Sequence, residues 1–229
     1  MAERPVLLVT GASSGIGEES ARQAAASGYD VVLAARRKER LDGLVDELGS
    51  NRAMAVRCDV NEWGDQQAAV AGALEHFGRL DAVFANAGFG VRRGFTTGTP
   101  ELWRQMVLTN VYGAALTVRA SIDALRESQG HLLFCGSVAG HVAVVGSLYS
   151  ATKFAVGAMA EAARKELNGT GCRVTLISPG TVETPFYDNP VGGEQLTAED
   201  VARMVVFALT QPRHVDVNEI FVRPTTQEL

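Results

Sequence analysis

The chain is poor in the residues that staple small or extracellular domains. Its three cysteines, Cys58, Cys135 and Cys172, are odd in number, widely spaced and set in apolar runs, so they suggest no disulfide framework. They read as reduced core thiols of a cytoplasmic protein. Its four histidines and the cysteines never approach metal-ligand spacing, and no structural metal is expected. No apolar run reaches the length of a bilayer span, and the start MAERPVLLVTGASSGIG lacks a basic region followed by a cleavable apolar stretch. Positive charge is scarce as well. Lys plus Arg number 21 against 26 Asp plus Glu, and the densest basic cluster, RRKER at 36–40, is short. That argues against nucleic acid or an anionic membrane as partner. Internal repeats, low-complexity segments and Pro/Gly/Ser-rich linkers are also missing, so residues 1–229 are expected to form one domain.

What is present is alternation. VLLVT (6–10), DVVLAA (30–35), AMAVRC (53–58), DAVFAN (81–86), HLLFCG (131–136), CRVTLIS (172–178) and EIFV (219–222) are short apolar runs of the kind that form strands buried on both faces. Ala-, Leu- and Glu-rich segments at about 16–28, 38–48, 62–77, 100–127, 147–168 and 198–210 read as the helices between them. Strand and helix in turn predict an α/β fold: a doubly wound, Rossmann-type parallel sheet of about seven strands with helices on both faces. The least regular stretch, TVETPFYDNPVGGEQ (181–195), reads as a substrate loop over about 184–196, at the edge of the ligand crevice.

The first strand runs directly into TGASSGIG (10–17) and then a helix. Glycines at 11, 15 and 17 allow close approach of an anion, and a helix N-terminus offers it backbone amides. This position, at the first strand, turn and helix, points to a nucleotide. Glu18 follows Gly17 where a P-loop needs lysine, so that reading fails. Gly11–Gly15 also satisfies Gly-x-Ser-x-Gly, which keeps a serine hydrolase using Ser13 as an alternative. Strand two ends in Ala35, Arg36 and Arg37, where an NAD-selective site carries an acidic residue; a guanidinium instead suits a 2′-phosphate and hence NADP(H).

YSATK (149–153) sets a phenol and an ammonium one helical turn apart. Taken alone, such a pair is usually surface decoration. With its surroundings, however, the chain from about Val6 to Gln227 resembles the short-chain dehydrogenase/reductase family. TGASSGIG resembles the family's cofactor turn, which implies contacts from Gly11, Ser13, Ser14, Gly15, Ile16 and Gly17. CDV (58–60) resembles the adenine-side motif with Asp59 and Val60. NAG (86–88) resembles the turn closing over the cofactor, Asn86, Ala87 and Gly88. PGTVET (179–184) resembles the nicotinamide segment, with Pro179, Gly180, Val182 and Thr184. The resemblance implies Asn110, Ser137, Tyr149 and Lys153 as the catalytic set. Asn110 would hold a relay water, Ser137 would align the substrate oxygen, and Lys153 would also anchor the nicotinamide ribose. Two residues depart from common family patterns: Ala85 stands where many relatives have Asn, and Ser14 is not basic, which leaves NADP selectivity to Arg36 and Arg37.

The chemistry of the pair follows from its charges. A free phenol ionises at about pH 10; bringing it to neutrality takes roughly 4 kcal/mol of differential stabilisation. A lysine ammonium in a partly dry cleft can supply it. Tyr149 would then give a proton to a carbonyl oxygen, or take one from an alcohol, as hydride moves on the cofactor. Candidate substrate-side residues are Phe89, Val91, Arg92, Arg93, Ala139, His141, Val145, Phe186 and Tyr187. The ending NEIFVRPTTQEL resembles the compact branch acting on small 3-hydroxy acids; a 3-oxoacyl thioester is the second candidate. A cofactor-binding regulator without catalysis is the other reading of the fold. The family also implies a homotetramer or homodimer, and Ala151, Ala155, Ala158 and Ala162 form a face that permits close helix approach.

Overall fold

A computed structural model describes residues 4–184 and 193–228. The first half runs β1 (Val6–Thr10), α1 (Gly15–Ala26), β2 (Asp30–Ala35), α2 (Lys38–Leu48), β3 (Ala53–Arg57), α3 (Trp63–Phe77) and β4 (Ala82–Ala85). The second continues with α4 (Pro100–Val107), a π-helical turn (Leu108–Gly113), α5 (Ala114–Ser128), β5 (His131–Cys135), a 3₁₀ turn (Val138–Gly140) and α6 (Leu148–Glu166). It closes with β6 (Arg173–Pro179), β7 (Val182–Glu183), β8 (Leu196–Thr197), α7 (Ala198–Leu209) and β9 (Glu219–Val222).

Seven strands form one parallel sheet in the order β3-β2-β1-β4-β5-β6-β9, as the alternation of the sequence predicts. Burial on both faces explains why the five inner strands read as continuous apolar runs, whereas the edge strands β3 and β9 are only partly buried, unlike the expectation for them. Along β5 the side chains alternate: Leu132 and Phe134 join the core under α3, α5 and α6, while Leu133 points to the core under α1, α2 and α7. All three are fully buried, so truncating any one to Ala costs about 2–5 kcal/mol. Strand order reverses between β1 and β4. The crevice beyond the carboxyl ends of these strands is where such a sheet receives ligands.

Local chemistry starts the helices. Pro100 occupies the first turn of α4, and Ser147 caps α6 by accepting from Ser150 N at 3.1 Å. Thr197 and Asp200 form a reciprocal capping box on α7.

Two sequence expectations are corrected here. The helix expected over 100–127 contains a π turn at Leu108–Gly113, and within it the Asn110 side chain bonds outside the helix. Within the expected loop at 181–195, Val182 and Glu183 pair with Leu196 and Thr197 as the small parallel ribbon β7–β8. Phe186 and Tyr187 lie outside the described residues. No described helix is long and apolar enough to cross a membrane.

Candidate active site

The end of β1 and the end of β4 are tied by one hydroxyl. Buried Thr10 accepts from Asn86 N at 3.0 Å and Ala87 N at 3.1 Å, while Asn86 Nδ2 donates to Thr10 O at 2.9 Å. Gly11 turns away from this junction at φ +70°, a conformation that side-chain-bearing residues rarely take. A Cβ on Gly17 would stand 2.5 Å from both Asn86 Nδ2 and Gly11 O. Gly17 therefore packs α1 against the two turns. Unlike the other cofactor-turn candidates, it does not line the cleft that opens above them, which measures about 850 Å³.

Ser14 is the N-cap of α1 in extended backbone, yet its side chain caps no amide. Its hydroxyl accepts from Arg37 Nη2 at 3.1 Å, and Ser13 Oγ accepts from the same nitrogen at 3.0 Å. The first-turn amides of α1 are thus left without a side-chain cap. Arg36 lines the same end of the cleft and has no partner among the described residues. An uncapped helix start, the lining glycines Gly11 and Gly15 and an unpartnered guanidinium together fit a ligand with several phosphates. Ser13, the serine of the hydrolase alternative, meets a guanidinium rather than an imidazole. Asp59 also lines this end; its Oδ1 accepts from Asn61 N at 3.0 Å and shapes the turn after β3.

At the other end, β5 delivers Cys135, Gly136 and Ser137 to the cleft. Ser137 is buried and extended, and its Oγ accepts from Ala139 N at 3.2 Å. Facing it, the first turns of α6 supply Tyr149 and Lys153. The Lys153 side chain is buried, its Nζ donates to Cys135 O at 2.7 Å, and Nζ lies 5.6 Å from the centroid of the Tyr149 ring. Burial holds the Lys153 ammonium below the ordinary lysine value, with Cys135 acting in the opposite sense. Burial likewise raises the Cys135 thiol, against the pull of Lys153.

Asn110 lies behind this wall rather than on it. Its Oδ1 accepts from Phe89 N at 2.9 Å, and Nδ2 donates to Phe89 O at 2.9 Å and to Thr152 Oγ1 at 3.1 Å. Both amide hydrogens are thus used within the protein, while Oδ1 accepts one bond and keeps a second lone pair.

The remaining sequence candidates Gly15, Ile16, Val60, Gly88, Pro179, Gly180, Val182 and Thr184 all line the cleft. The nicotinamide-segment candidates are braced by the C-terminal tail: Gly180 N donates to Val222 O at 2.7 Å and Thr181 N to Gln227 Oε1 at 2.9 Å. Among the described substrate-side candidates, Phe89 is the one that lines the cleft. His141 instead meets Glu219 Oε1 at 2.7 Å through Nε2, stacks edge-on with Phe221, and ties the loop after β5 to the edge strand. Val145 is 91% exposed; Arg92 and Arg93 are exposed, and their guanidinium groups have no partner among the described residues, although Arg93 O accepts from Thr97 Oγ1 at 3.3 Å. Sequence reasoning missed Cys58, Gln105, Thr109 and Cys135 as lining residues, and Thr10 and Thr152 as braces. A polar residue closing an apolar strand was the available signal for Thr10.

The model of the short chain dehydrogenase family matches residues 5–192. An uncharacterized oxidoreductase of Staphylococcus aureus is 39% identical over 96% of both chains. The alcohol dehydrogenase of the archaeon Thermococcus sibiricus, solved with 5-hydroxy-NADP, superposes with a TM-score of 0.91 at 29% identity, covering 98% of both chains. A serine dehydrogenase complexed with NADP+ superposes at 0.89 with 32% identity, covering 98% of this chain and 96% of that one. The chain is thus an oxidoreductase and belongs to the short-chain dehydrogenase family.

Proposed function

We propose that the protein interconverts a carbonyl and a primary or secondary alcohol with NADP(H), using Tyr149 as the acid/base. The observation that carries this reading is the buried Lys153 ammonium beside the Tyr149 ring, in a cleft that also holds Ser137 and ends in two arginines. Such a cation favours the phenolate, and the surrounding dryness strengthens its effect. The Ser137 hydroxyl orients the substrate oxygen. Tyr149 delivers a proton to that oxygen in reduction and removes it in oxidation. Lys153 holds the charge that makes both directions accessible near neutrality.

Gly11, Ser13, Ser14, Gly15 and Ile16 would hold the pyrophosphate half of the cofactor, with Arg36 and Arg37 at the 2′-phosphate. Asp59 and Val60 would meet the adenine side. Asn86 to Gly88, Pro179, Gly180, Val182 and Thr184 would enclose the nicotinamide half. When bound, the cofactor supplies or accepts the hydride. Both structural relatives were solved with NADP-type ligands, which supports the arginine argument. Likeness to the serine dehydrogenase, with the unpartnered Arg92 and Arg93, favours small 3-hydroxy acids ahead of 3-oxoacyl thioesters as substrates.

One sheet from Val6 to Val222 supports a single domain, and the outward-facing Tyr112, Phe154, Ala151, Ala158 and Ala162 support burial of this helical face between copies in a tetramer or dimer.

Tyr149→Phe tests the assignment. Turnover should fall about 10²–10⁴-fold while NADPH affinity stays within about twofold. A variant that turns over normally, or loses activity only in step with cofactor binding, removes Tyr149 from the role.

A further inference from the structure

We infer that Thr152 is a positioning residue that sets the aim of Tyr149 and Lys153 by locking the first turns of α6 to the turn after β4. This rests on the proposed function of the same cleft. Thr152 is buried, and its hydroxyl is used in both directions: it donates to Tyr149 O at 2.7 Å and accepts from Asn110 Nδ2 at 3.1 Å. The first bond alone would be unremarkable, since helix threonines commonly bond back to the carbonyl one turn earlier. The second bond gives it consequence, because it comes from the π turn.

Asn110 has one acceptor oxygen and two amide hydrogens. It places the oxygen on Phe89 N, one hydrogen on Phe89 O and the other on Thr152. A continuous chain of bonds therefore runs from the backbone of Phe89, which lines the cleft beside Gly88, through Asn110 to Thr152 and the backbone of Tyr149. Thr152 is three residues after Tyr149 and immediately before Lys153. On a helix, a side chain fixed at this position fixes the rotational phase of both neighbours. Lys153 is held separately through Nζ on Cys135 O, so the first turns of α6 are pinned at two points. Tyr149 is thus aimed through its backbone by the Thr152 bond, and Lys153 both by its place next to Thr152 and by its own bond to Cys135 O. The wider π turn is what brings the Asn110 amide to Thr152.

Valine matches threonine in shape but cannot accept the Asn110 hydrogen, whereas serine keeps the hydroxyl. For Thr152→Val we expect kcat to fall roughly tenfold or more, with the NADPH dissociation constant, read by fluorescence quenching, within about twofold of the parent. Thr152→Ser should recover kcat to within about threefold. Thermal melting of each variant, with and without NADPH, reports whether the fold and the cofactor site persist. A Thr152→Val enzyme with parental kcat overturns the inference. So does one whose loss follows only its fraction of folded, cofactor-binding protein, or a loss that serine fails to restore. A parent protein that turns over no carbonyl or alcohol substrate with either cofactor overturns the functional reading first, and this inference with it. An active parent with an unaffected valine variant overturns this inference alone.

Discussion

At the end of the cleft formed by β1 and β2, recognition relies on groups that water can reach: Arg36 and Arg37 are exposed, and Arg37 rests on two loop hydroxyls. At the end formed by β5 and α6, Lys153, Ser137, Asn110 and Thr152 are all buried, and each has its hydrogen-bond partner within the protein. The first end can exchange its present contacts for those of a ligand at little cost, because solvent screens the difference. The second end cannot, because each broken bond leaves a buried polar atom unpaired. One end is suited to binding and choosing a cofactor. The other, on the function proposed above, would keep atoms in register through a reaction.

This contrast predicts where losses appear. The largest is expected at the buried end. Lys153→Met removes the ammonium while keeping the side-chain length, and kcat should drop about 10²–10³-fold. If only the cofactor KM rises, the division between the two ends breaks down. A smaller effect belongs to the exposed end. Replacing Arg36 and Arg37 together by Ala should weaken NADPH binding about 10–100-fold, leave NADH within about twofold, and keep kcat at saturation nearly unchanged. Equal weakening of both cofactors would show that these arginines read something other than the 2′-phosphate.

The smallest effect separates stability from activity. His131 opens β5 at the end of the strand away from the cleft. Thr175 Oγ1 donates to Val217 O at 2.6 Å, so it accepts from His131 Nε2 at 2.7 Å, and Nδ1 has no partner among the described residues. Burial holds the imidazole well below its ordinary 6.5, with Arg173 adding to the effect. Below about pH 6.5 the unfolded chain takes up a proton that the folded chain refuses. Folding stability should therefore decline as pH falls through that window, by up to about 1.4 kcal/mol per pH unit, and this contribution is level above it. Denaturant melts of the parent and His131→Gln between pH 5 and 8 check this. An unchanged slope in the variant would assign the effect to other groups.

The sheet was legible because strands buried on both faces must be apolar along nearly their whole length, as VLLVT and HLLFC are apart from one polar end residue each. The cleft was legible where its chemistry is local: the glycines of 10–17, the Arg pair after Ala35, and Tyr149 with Lys153. What escaped depends on partners far along the chain. Thr10 acts on Asn86 and Ala87, and Thr152 on Asn110; a polar end to an apolar strand hints at the first, and nothing beside Thr152 announces the second. The π turn was hidden because LTNVYG continues the helical pattern around it, and only the bonds of Asn110 to Phe89 and Thr152 mark it. His141 shows the same dependence on distant partners. Chain position made it a substrate-side candidate, and its ring meets Glu219 on the edge strand.

The most direct test of the central claim is the consumption of NADPH and, in parallel, NADH by the purified protein with aldehydes, ketones, β-keto esters and semialdehyde acids. Tyr149→Phe serves as the blank. The account predicts carbonyl-dependent oxidation of NADPH that exceeds that of NADH and disappears in the blank. Oxidation that persists in Tyr149→Phe, or no oxidation of either cofactor by the parent across the panel, would contradict it.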